Sequence, residues 1–207
     1  YLAEELDGES LMFMICDELK IGLLTDHVAL KEINTHVTKK RIEQKFSLIN
    51  ESLKKDFGFQ KPKIAVLSID PHAGDGGVIG KDDQDILKPV LVEIASKNNL
   101  VFGPFSSDSF FGSGQHKKYD AVLAIYHDQG LIPFKTLSFG SGVNYTAGLN
   151  KVRTSPDHGT GYDIAGKGLA DSMSFKNAIF SAIEILKSRN LFEDLNKNSL
   201  NLSNSKT

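Results

Sequence analysis

Apolar runs that alternate with amphipathic segments give this chain the pattern of an α/β protein. Short runs with the length and composition of strands occupy residues 11–15, 20–25, 63–69, 120–127 and 143–149. After Thr38, apolar residues recur at three- and four-residue spacing until Gly58, which predicts a helix with a glycine stop. Strands that alternate with helices indicate an α/β fold with a largely parallel sheet.

Two further helices follow from the same pattern. Residues 82–98 predict one that Pro89 should kink or split in two. The other closes the chain, and one of its faces is marked by Phe175, Ile179, Ile183 and Leu186. The tail from Glu193 is rich in Asn, Ser and Lys, so we expect it to fray.

Three histidines stand just past predicted strand ends, namely His27, His72 and His127. Ligands of open α/β sheets bind beyond the carboxyl ends of the strands, so the three side chains can converge there. Imidazole suits Zn, Co, Ni or Fe(II), and three protein ligands leave a position open for a substrate. Taken alone, each is more simply a loop or capping histidine, but three equivalent positions favour one divalent ion.

Asp128 and Asp75 are each open to two interpretations. Either carboxylate can orient a metal-bound imidazole by accepting a hydrogen bond from it. Each is equally typical of a residue that caps a helix or turn.

Lys135, Asn144 and Arg153 fall on successive segments after His127. An ammonium, an amide and a guanidinium together suit a phosphate or a carboxylate. The alternative is that the two cations are ordinary solvated surface charges.

The stretch DHGTGYDIAGKG (157–168) is dense in glycine and small polar residues. Such a loop can wrap its backbone around a nucleotide, although it is not the GxGxxG fingerprint. Without further information it is equally a surface loop.

Composition narrows the class of protein. The 207 residues carry a net charge of -2 and a single cysteine, Cys16, which excludes an internal disulfide. Neither a basic excess nor a long apolar run is present, so we expect no nucleic-acid or membrane partner and a cytoplasmic location. The chain opens on YLAEEL without a methionine, which suggests part of a longer protein.

Four motifs, PHAGDGG, YHDQGLIPFK, GVNYTAGL and RTSPDHGT, in this order and spacing resemble the PdxA family of 4-hydroxythreonine-4-phosphate dehydrogenases. The resemblance runs over about residues 1–190, and HGTGYDIAGKG is similar to the adenosine-binding loop of isopropylmalate dehydrogenases. It implies a three-layer α/β/α fold like that of isocitrate and isopropylmalate dehydrogenases. Much of the first domain of that fold would be lacking here, because the family's N-terminal segment and its Gly-His-Thr-Glu motif precede Tyr1.

The resemblance also implies roles for individual residues. His27, His72 and His127 match the family's metal ligands, and Lys135, Asn144 and Arg153 match substrate-binding positions, with Lys135 also a candidate for proton transfer. The positions that match the nucleotide site of the isopropylmalate relatives are His158, Thr160, Gly161, Asp163 and Asp171. Residues 1–152 would form a metal- and substrate-binding, dimerising domain, and residues 153–207 part of a nucleotide-binding domain with a flexible tail from about residue 193.

The implied reaction is oxidation of 4-phosphooxy-L-threonine by NAD or NADP, followed by loss of CO2. It would use a divalent metal (Zn, Mg or Co) in a site shared across a homodimer. Three alternatives stay open: a dehydrogenase of threonate or erythronate 4-phosphate, a metal hydrolase without a nucleotide, and an inactive metal-binding fragment.

Overall fold

The structure is a computed structural model, and it describes residues 8–138, 140–159 and 161–197. Its strands are β1 (Gly8–Ile15), β2 (Lys20–Leu23), β3 (Lys63–Leu67), β4 (Leu100–Phe105), β5 (Ala121–Ala124), β6 (Val143–Leu149) and β7 (Thr154–Pro156). Its α-helices are α1 (Ile33–His36), α2 (Lys39–Lys55), α3 (Lys88–Ser96), α4 (Ser107–Gly112), α5 (His127–Ser138) and α6 (Met173–Lys197). Short 3-10 turns span Leu30–Glu32, Gln115–Lys118 and Tyr162–Ile164, a largely left-handed turn spans Pro71–Gly77, and a π-helical turn spans Asp83–Leu87.

The strands form one sheet with the order β4-β3-β5-β2-β1-β6-β7. Strands β4, β3, β5 and β2 are mutually parallel, and β1, β6 and β7 continue the sheet by antiparallel pairing. Because β6 is antiparallel to β1, it runs in the same direction as β2. The expectation of a largely parallel sheet therefore holds for the half that carries the histidines and is wrong for the other half.

Helices cover both faces of the sheet, which confirms the α/β class. Alternate residues of β3 point to opposite faces: Ile64 and Val66 pack with α2, α3 and α6, whereas Ala65 and Leu67 pack with α4 and α5. Helix α2 begins where the sequence indicates, because the Thr38 hydroxyl accepts a hydrogen bond from the backbone N–H of Arg41.

Several elements differ from the sequence prediction. Pro89 does split the predicted helix, into the π-helical turn Asp83–Leu87 and α3. The strand expected to run to His127 stops at Ala124, and His127 instead opens α5. Strand β4, helix α4 and helix α5 were not predicted.

The closing helix, α6, does not bury the apolar face that its sequence pattern marks. The residues of α6 that face the core are Ser174, Ala178, Ile185 and Arg189. The apolar face marked in the sequence is exposed instead, with Phe175 as its first residue. The tail expected to fray from Glu193 is helical as far as Lys197, and residues 198–207 lie outside the described residues.

A buried ion pair fixes the rotation of α6. The Arg189 Nε donates to Asp56 Oδ1 at 2.7 Å, and Arg189 Nη2 donates to the Tyr145 hydroxyl at 2.8 Å. The Tyr145 hydroxyl in turn donates to Asp56 Oδ2 at 2.6 Å, and Ser52 donates to the same oxygen. Three elements, α2, β6 and α6, are thereby joined at one buried polar cluster.

The proposed division at residue 152 remains a prediction. Strand β7 begins two residues later and hydrogen-bonds to β6 within the same sheet.

Candidate functional site

The three predicted metal ligands lie at one edge of the sheet. Strands β3, β5 and β2 are neighbours and parallel, so their carboxyl ends meet at the same edge. His72, His127 and His27 follow these three strands in that order. The strand-end rule therefore places the imidazoles in one region, as ligand sites of open α/β sheets require.

His27 and His127 are in ring contact. Their ring centroids are 5.3 Å apart and their planes are inclined by 44°. His127 Nδ1 lies 2.7 Å from Asp128 Oδ1. Since an ionised carboxylate only accepts hydrogen bonds, Nδ1 carries the proton, and Nε2 keeps its lone pair for a ligand. Asp128 is thus placed to orient the His127 imidazole, which is one of the two roles that the sequence left open.

His72 lies in a left-handed turn. Its backbone has φ 54° and ψ 29°, and the next residue, Ala73, has φ 51° and ψ 40°. Asp75 is also left-handed, with φ 45°. Such a conformation costs a non-glycine residue about 1–2 kcal/mol, and strain of this kind clusters at functional sites. The left-handed turn therefore marks His72 as a candidate functional residue.

Replacing Ala73 with glycine should stabilise the protein by about 1 kcal/mol, because glycine adopts positive φ without a steric penalty. The measurement is the free energy of unfolding in urea. Ala95→Gly is the matched control: Ala95 is exposed within α3, where the same change should destabilise by about 0.5–1 kcal/mol. A loss of stability in Ala73→Gly would contradict the left-handed turn.

The histidines occupy two adjoining cavities. His27 and His127 line one of about 420 Å3, and His72 lines another of about 230 Å3. The two share Tyr126. Among the described residues, no three His, Cys, Asp or Glu side chains are grouped so as to hold a metal ion. One chain thus brings His27 and His127 together and leaves His72 in the neighbouring cavity.

Two carboxylate oxygens at this edge are buried and have no hydrogen-bond partner among the described residues. They are Oδ1 of Asp26 and Oδ2 of Asp70, and these two residues line the His27 cavity and the His72 cavity respectively. Burial, followed by the charges of Asp83 and Asp82, raises the pKa of Asp70. A buried unpaired carboxylate oxygen is costly, and a divalent cation would relieve that cost. The donor set of imidazoles and carboxylates therefore fits the implied metal.

Gln129 ties together the loops of this edge. Its Oε1 accepts from the backbone N–H of Ile125 at 2.7 Å, and its Nε2 donates to the Ser68 carbonyl and the Ser107 hydroxyl, both at 2.8 Å. The ends of β3 and β5 and the start of α4 are thus fixed relative to one another. Sequence reasoning missed Gln129, although it lies two residues from His127 within the YHDQ motif.

Asp83 supports the loop that leads to His72. Its two carboxylate oxygens accept from the backbone N–H groups of Ile69, at 3.0 Å, and Asp70, at 2.9 Å. In the sequence, Asp83 is marked only by its place near the start of the helix predicted over residues 82–98. Its fully buried carboxylate instead positions the backbone just before the left-handed turn.

The three predicted anion-binding residues lie on three elements, namely α5, β6 and the connection between β6 and β7. Arg153 precedes β7, and its Nη1 donates to the Thr146 hydroxyl at 3.2 Å. Asn144 and Thr146 lie on the α5 face of β6, since the residues that alternate with them pack in the core on the opposite face: Val143, Tyr145 and Ala147. Lys135 is exposed on α5, about 12 Å along the helix axis from His127. Within the described residues, the side chains of Lys135 and Asn144 make no hydrogen bond or ion pair.

The predicted nucleotide loop begins at the end of the sheet opposite the one where the histidines lie. The last residue of β7, Pro156, pairs with Val143, the first residue of β6. The start of the loop is anchored there by Ser174, whose hydroxyl accepts from the backbone N–H of Asp157 at 3.2 Å and donates to the Gly142 carbonyl at 3.0 Å. The structure does not bring this loop next to the histidines.

Within the loop, the predicted cofactor residues are mostly exposed. His158 Nδ1 donates to the Gly159 carbonyl, and Asp171 accepts from the backbone N–H that opens α6. Gly161 has φ 61°, a value that favours glycine, and Asp163 lies in the turn that follows it. Thr160 lies outside the described residues.

Comparison with known proteins identifies similar chains. The family model described as "Pyridoxal phosphate biosynthetic protein PdxA" matches residues 1–182. The 4-hydroxythreonine-4-phosphate dehydrogenase of Bacteroides thetaiotaomicron is 48% identical over 191 residues, which cover 91% of this chain and 52% of that protein. The same-named protein of Sulfurihydrogenibium is 45% identical over 190 residues, covering 91% and 58% respectively.

Solved structures give the same picture. The crystal structure of 4-hydroxythreonine-4-phosphate dehydrogenase from Klebsiella pneumoniae superposes with a TM-score of 0.78 at 37% identity, covering 89% of this chain and 56% of that chain. A terephthalate 1,2-cis-dihydrodioldehydrogenase from Burkholderia xenovorans superposes with a TM-score of 0.68 at 29% identity, covering 84% and 55%. The chain thus spans little more than half the length of these relatives. In the part of the chain that the structure describes, no helix has the length and apolarity needed to cross a membrane.

Proposed function

The chain belongs to the PdxA family, and from that membership we propose that it carries the metal- and phosphate-binding part of an NAD-dependent dehydrogenase. The reaction would oxidise and decarboxylate 4-phosphooxy-L-threonine to 3-amino-2-oxopropyl phosphate in pyridoxine 5'-phosphate biosynthesis. The observation that best supports this proposal is the His27–His127 pair, oriented by Asp128 at the carboxyl edge of the sheet.

We assign the metal to His27, His72 and His127, with Asp26 and Asp70 as nearby acceptors. A divalent ion (Zn, Mg or Co) supplies positive charge that lowers the pKa of a bound hydroxyl and stabilises negative charge on oxygen. Asp128 keeps the proton of His127 on Nδ1, so that Nε2 would be free to hold the metal.

The phosphate of the substrate would bind to Lys135, Asn144 and Arg153. Arg153 is already held by Thr146, which orients its guanidinium before a ligand arrives. Lys135 is exposed and unpaired within the described residues, so binding an anion would not require it to leave another partner. We retain Lys135 as the candidate for proton transfer, since its ammonium can donate a proton.

The nucleotide would bind to the loop that holds His158, Thr160, Gly161, Asp163 and Asp171. NAD or NADP supplies the hydride acceptor, and the protein contributes orientation. The loop starts at the far edge of the sheet from the histidines, so an extended dinucleotide suits the separation better than a compact ligand does.

We further propose a homodimer that shares its metal sites. In one chain His72 occupies a different cavity from His27 and His127, and the described residues contain no three-ligand cluster. A second copy that supplies the missing ligand would complete each site. Closed two-fold dimers are the commonest soluble homo-oligomers.

Complementation between two variants tests the shared site. His72→Ala and His127→Ala should each lose most of their bound Zn2+ or Co2+. After unfolding and refolding together, the mixture should regain about a quarter of the wild-type metal per chain, since half the dimers are mixed and each mixed dimer has one intact site. Atomic absorption gives the metal content, and light scattering on the same samples gives the oligomeric state.

His158→Ala is the matched control, because His158 is exposed at the other edge of the sheet and should leave metal content unchanged. If the single variants bind metal normally, the histidines are not the ligands. If the mixture regains no metal, His72 and His127 serve the same site from one chain.

A related substrate is the main alternative. The dihydrodioldehydrogenase of Burkholderia xenovorans shows that this fold accommodates other hydroxylated substrates, so threonate or erythronate 4-phosphate is the nearest rival. Formation of NADH and CO2 from each substrate, compared as kcat/KM, separates these possibilities. Failure to bind NAD in a titration would instead favour a metal hydrolase.

A further inference from the structure

A cavity at the start of helix α2 is lined by polar side chains. We call it the α2 cavity, and its volume is about 320 Å3. Its described lining residues are Thr35, His36, Thr38, Lys40, Arg41, Gln44 and Lys45. Three of them are cations, and none of those described is acidic. They include no residue that we assign to the metal, the phosphate or the nucleotide, so this concentration of positive charge needs a separate explanation.

Lys45 is the buried cation of the α2 cavity. It is only 8% exposed, and its Nζ donates to the Ser10 carbonyl at 2.7 Å. Within the described residues, no carboxylate lies close enough to form an ion pair with it. Burial is the main cause that lowers the pKa of Lys45, and the charges of Asp26 and Glu9 oppose it only in part. A buried ammonium without a paired carboxylate is costly, and an anion in the cavity would reduce that cost.

Arg41 is held beside the cavity by two contacts. Its Nε donates to the Leu24 carbonyl at 2.9 Å, and its Nη1 lies 3.0 Å from His36 Nδ1. Since a guanidinium can only donate hydrogen bonds, His36 Nδ1 is the acceptor. A guanidinium carries more N–H donors than these two contacts use. Arg41 is thus oriented in advance and keeps donors for an oxyanion.

The cations at the start of α2 stand where a helix favours the opposite charge. The first turn holds Lys39, Lys40 and Arg41 and no acidic residue. The N-terminus of a helix carries partial positive charge, which favours anions and disfavours cations. Lys39 is paired with Glu93, whereas Lys40 and Arg41 have no ion-pair partner in the described part of the chain. Residues that break a local rule in this way are typical of functional sites.

We propose that the α2 cavity binds a small phosphate-bearing anion, either inorganic phosphate or the phosphate group of a metabolite. Lys40, Arg41 and Lys45 supply the positive charge. The Thr38 hydroxyl accepts from the backbone N–H of Arg41, so its own proton is available to the ligand. A phosphate suits donors on several sides better than a carboxylate does, because it has more acceptor oxygens. The cavity is near the lower end of the range for small-molecule sites, about 300–1,000 Å3, which favours a ligand smaller than a nucleotide.

Equilibrium dialysis with radiolabelled glycerol 3-phosphate tests the site without any measurement of activity. Wild type should bind with a Kd below about 10 mM. Lys40→Ala should weaken binding at least about fivefold and Lys45→Met at least about tenfold, since each removes a charge-assisted contact. Lys40 is exposed and unpaired within the described residues, so its replacement leaves the fold intact and remains informative if Lys45→Met does not fold.

Two further variants separate this site from other positive charge. Lys61→Ala is the matched control: it removes an exposed cation beyond the other end of α2 and should change the Kd less than about twofold. Arg153→Ala removes a residue of the proposed substrate-phosphate site and should also leave the Kd within about twofold. The result therefore does not depend on the proposed reaction.

Three results would overturn the proposal. The first is the absence of saturable binding up to about 10 mM. The second is equal weakening by Lys61→Ala and Lys40→Ala, which would show attraction to the overall charge of the surface. The third is loss of binding in Arg153→Ala while Lys40→Ala binds normally, which would assign the anion to the substrate-phosphate site. Competition with inorganic phosphate distinguishes the two ligands: tighter binding of glycerol 3-phosphate identifies a phosphate monoester, and equal binding identifies the free ion.

Discussion

Replacing Arg189 with methionine should lower the free energy of unfolding by about 3–5 kcal/mol. The change removes the only charge that faces the buried Asp56 carboxylate among its hydrogen-bond partners in the described structure. Methionine retains most of the side-chain volume, so the loss is mainly electrostatic rather than a cavity. The Tyr145 hydroxyl cannot replace the lost charge, because a phenol carries no positive charge; burial, followed by Asp56, raises its pKa, so it remains a neutral donor.

Urea denaturation measures this loss, and the same helix supplies the control. Lys187 lies two residues before Arg189, and Lys187→Met removes its exposed ion pair with Glu184. This change should lower the free energy of unfolding by no more than about 0.5 kcal/mol. Adding Asp56→Asn to Arg189→Met should restore at least about 1 kcal/mol, because the unpaired buried charge is then gone. If Arg189→Met and Lys187→Met cost the same, the buried cluster does not hold α6 in place.

The position of the histidines was predictable because it depends on chain order alone. A run such as residues 64–67 is apolar throughout, which is typical of a strand buried on both faces, and the residue types change abruptly after it. Parallel strands end at one edge, so His27, His72 and His127 had to lie near one another. Which of them touch depends on loop geometry, and the left-handed run at His72 has no local signal beyond its glycines.

Helix α5 was missed because local sequence argues against it. Gly130 and Pro133 both weaken a helix, yet both lie within α5. Packing requires the glycine: a Cβ at residue 130 would lie 2.8 Å from Leu23 and 2.9 Å from Ile21, so the helix could not approach β2. Tertiary contact here outweighs propensity. Strand β4 was missed for a related reason, since Pro104 is tolerated only because β4 is at the sheet edge.

The spacing of apolar residues identified an apolar face on α6, but it did not predict whether that face points to the core or to solvent. Spacing shows which residues share a face, whereas the direction of that face depends on what the helix meets. Arg189 would be expected at the surface, and only its contacts with Asp56 and Tyr145 from distant segments make it an inward residue. Gln129 and Asp83 were missed for the same reason. Gln129 joins backbone groups that lie far apart in the chain, and Asp83 accepts from backbone groups on the other side of a loop.

In a catalytically active protein that contains this chain, Arg153→Ala should lower kcat/KM for the phosphorylated substrate on the order of 30-fold to several thousand-fold. This corresponds to a loss of about 2–5 kcal/mol of transition-state stabilisation. The Thr146 hydroxyl orients the guanidinium of Arg153. Without that guanidinium, a phosphate bound at the proposed site would be desolvated and would make fewer charge-assisted contacts. Metal content should not change, because the histidines follow β2, β3 and β5, whereas Arg153 lies between β6 and β7.

The decisive measurement is a ratio of substrates rather than a single rate. A substrate without the phosphate never makes the contact with Arg153, so its kcat/KM should fall much less than that of the phosphorylated one. Lys151→Ala is the matched control: it removes an exposed cation from the same connection between β6 and β7 and should leave the ratio unchanged. A purely structural role for Arg153, through its bond to Thr146, predicts equal losses for both substrates together with a lower free energy of unfolding. Equal ratios in wild type and variant would therefore remove Arg153 from the phosphate site, and a ratio that falls only in Arg153→Ala would assign it there.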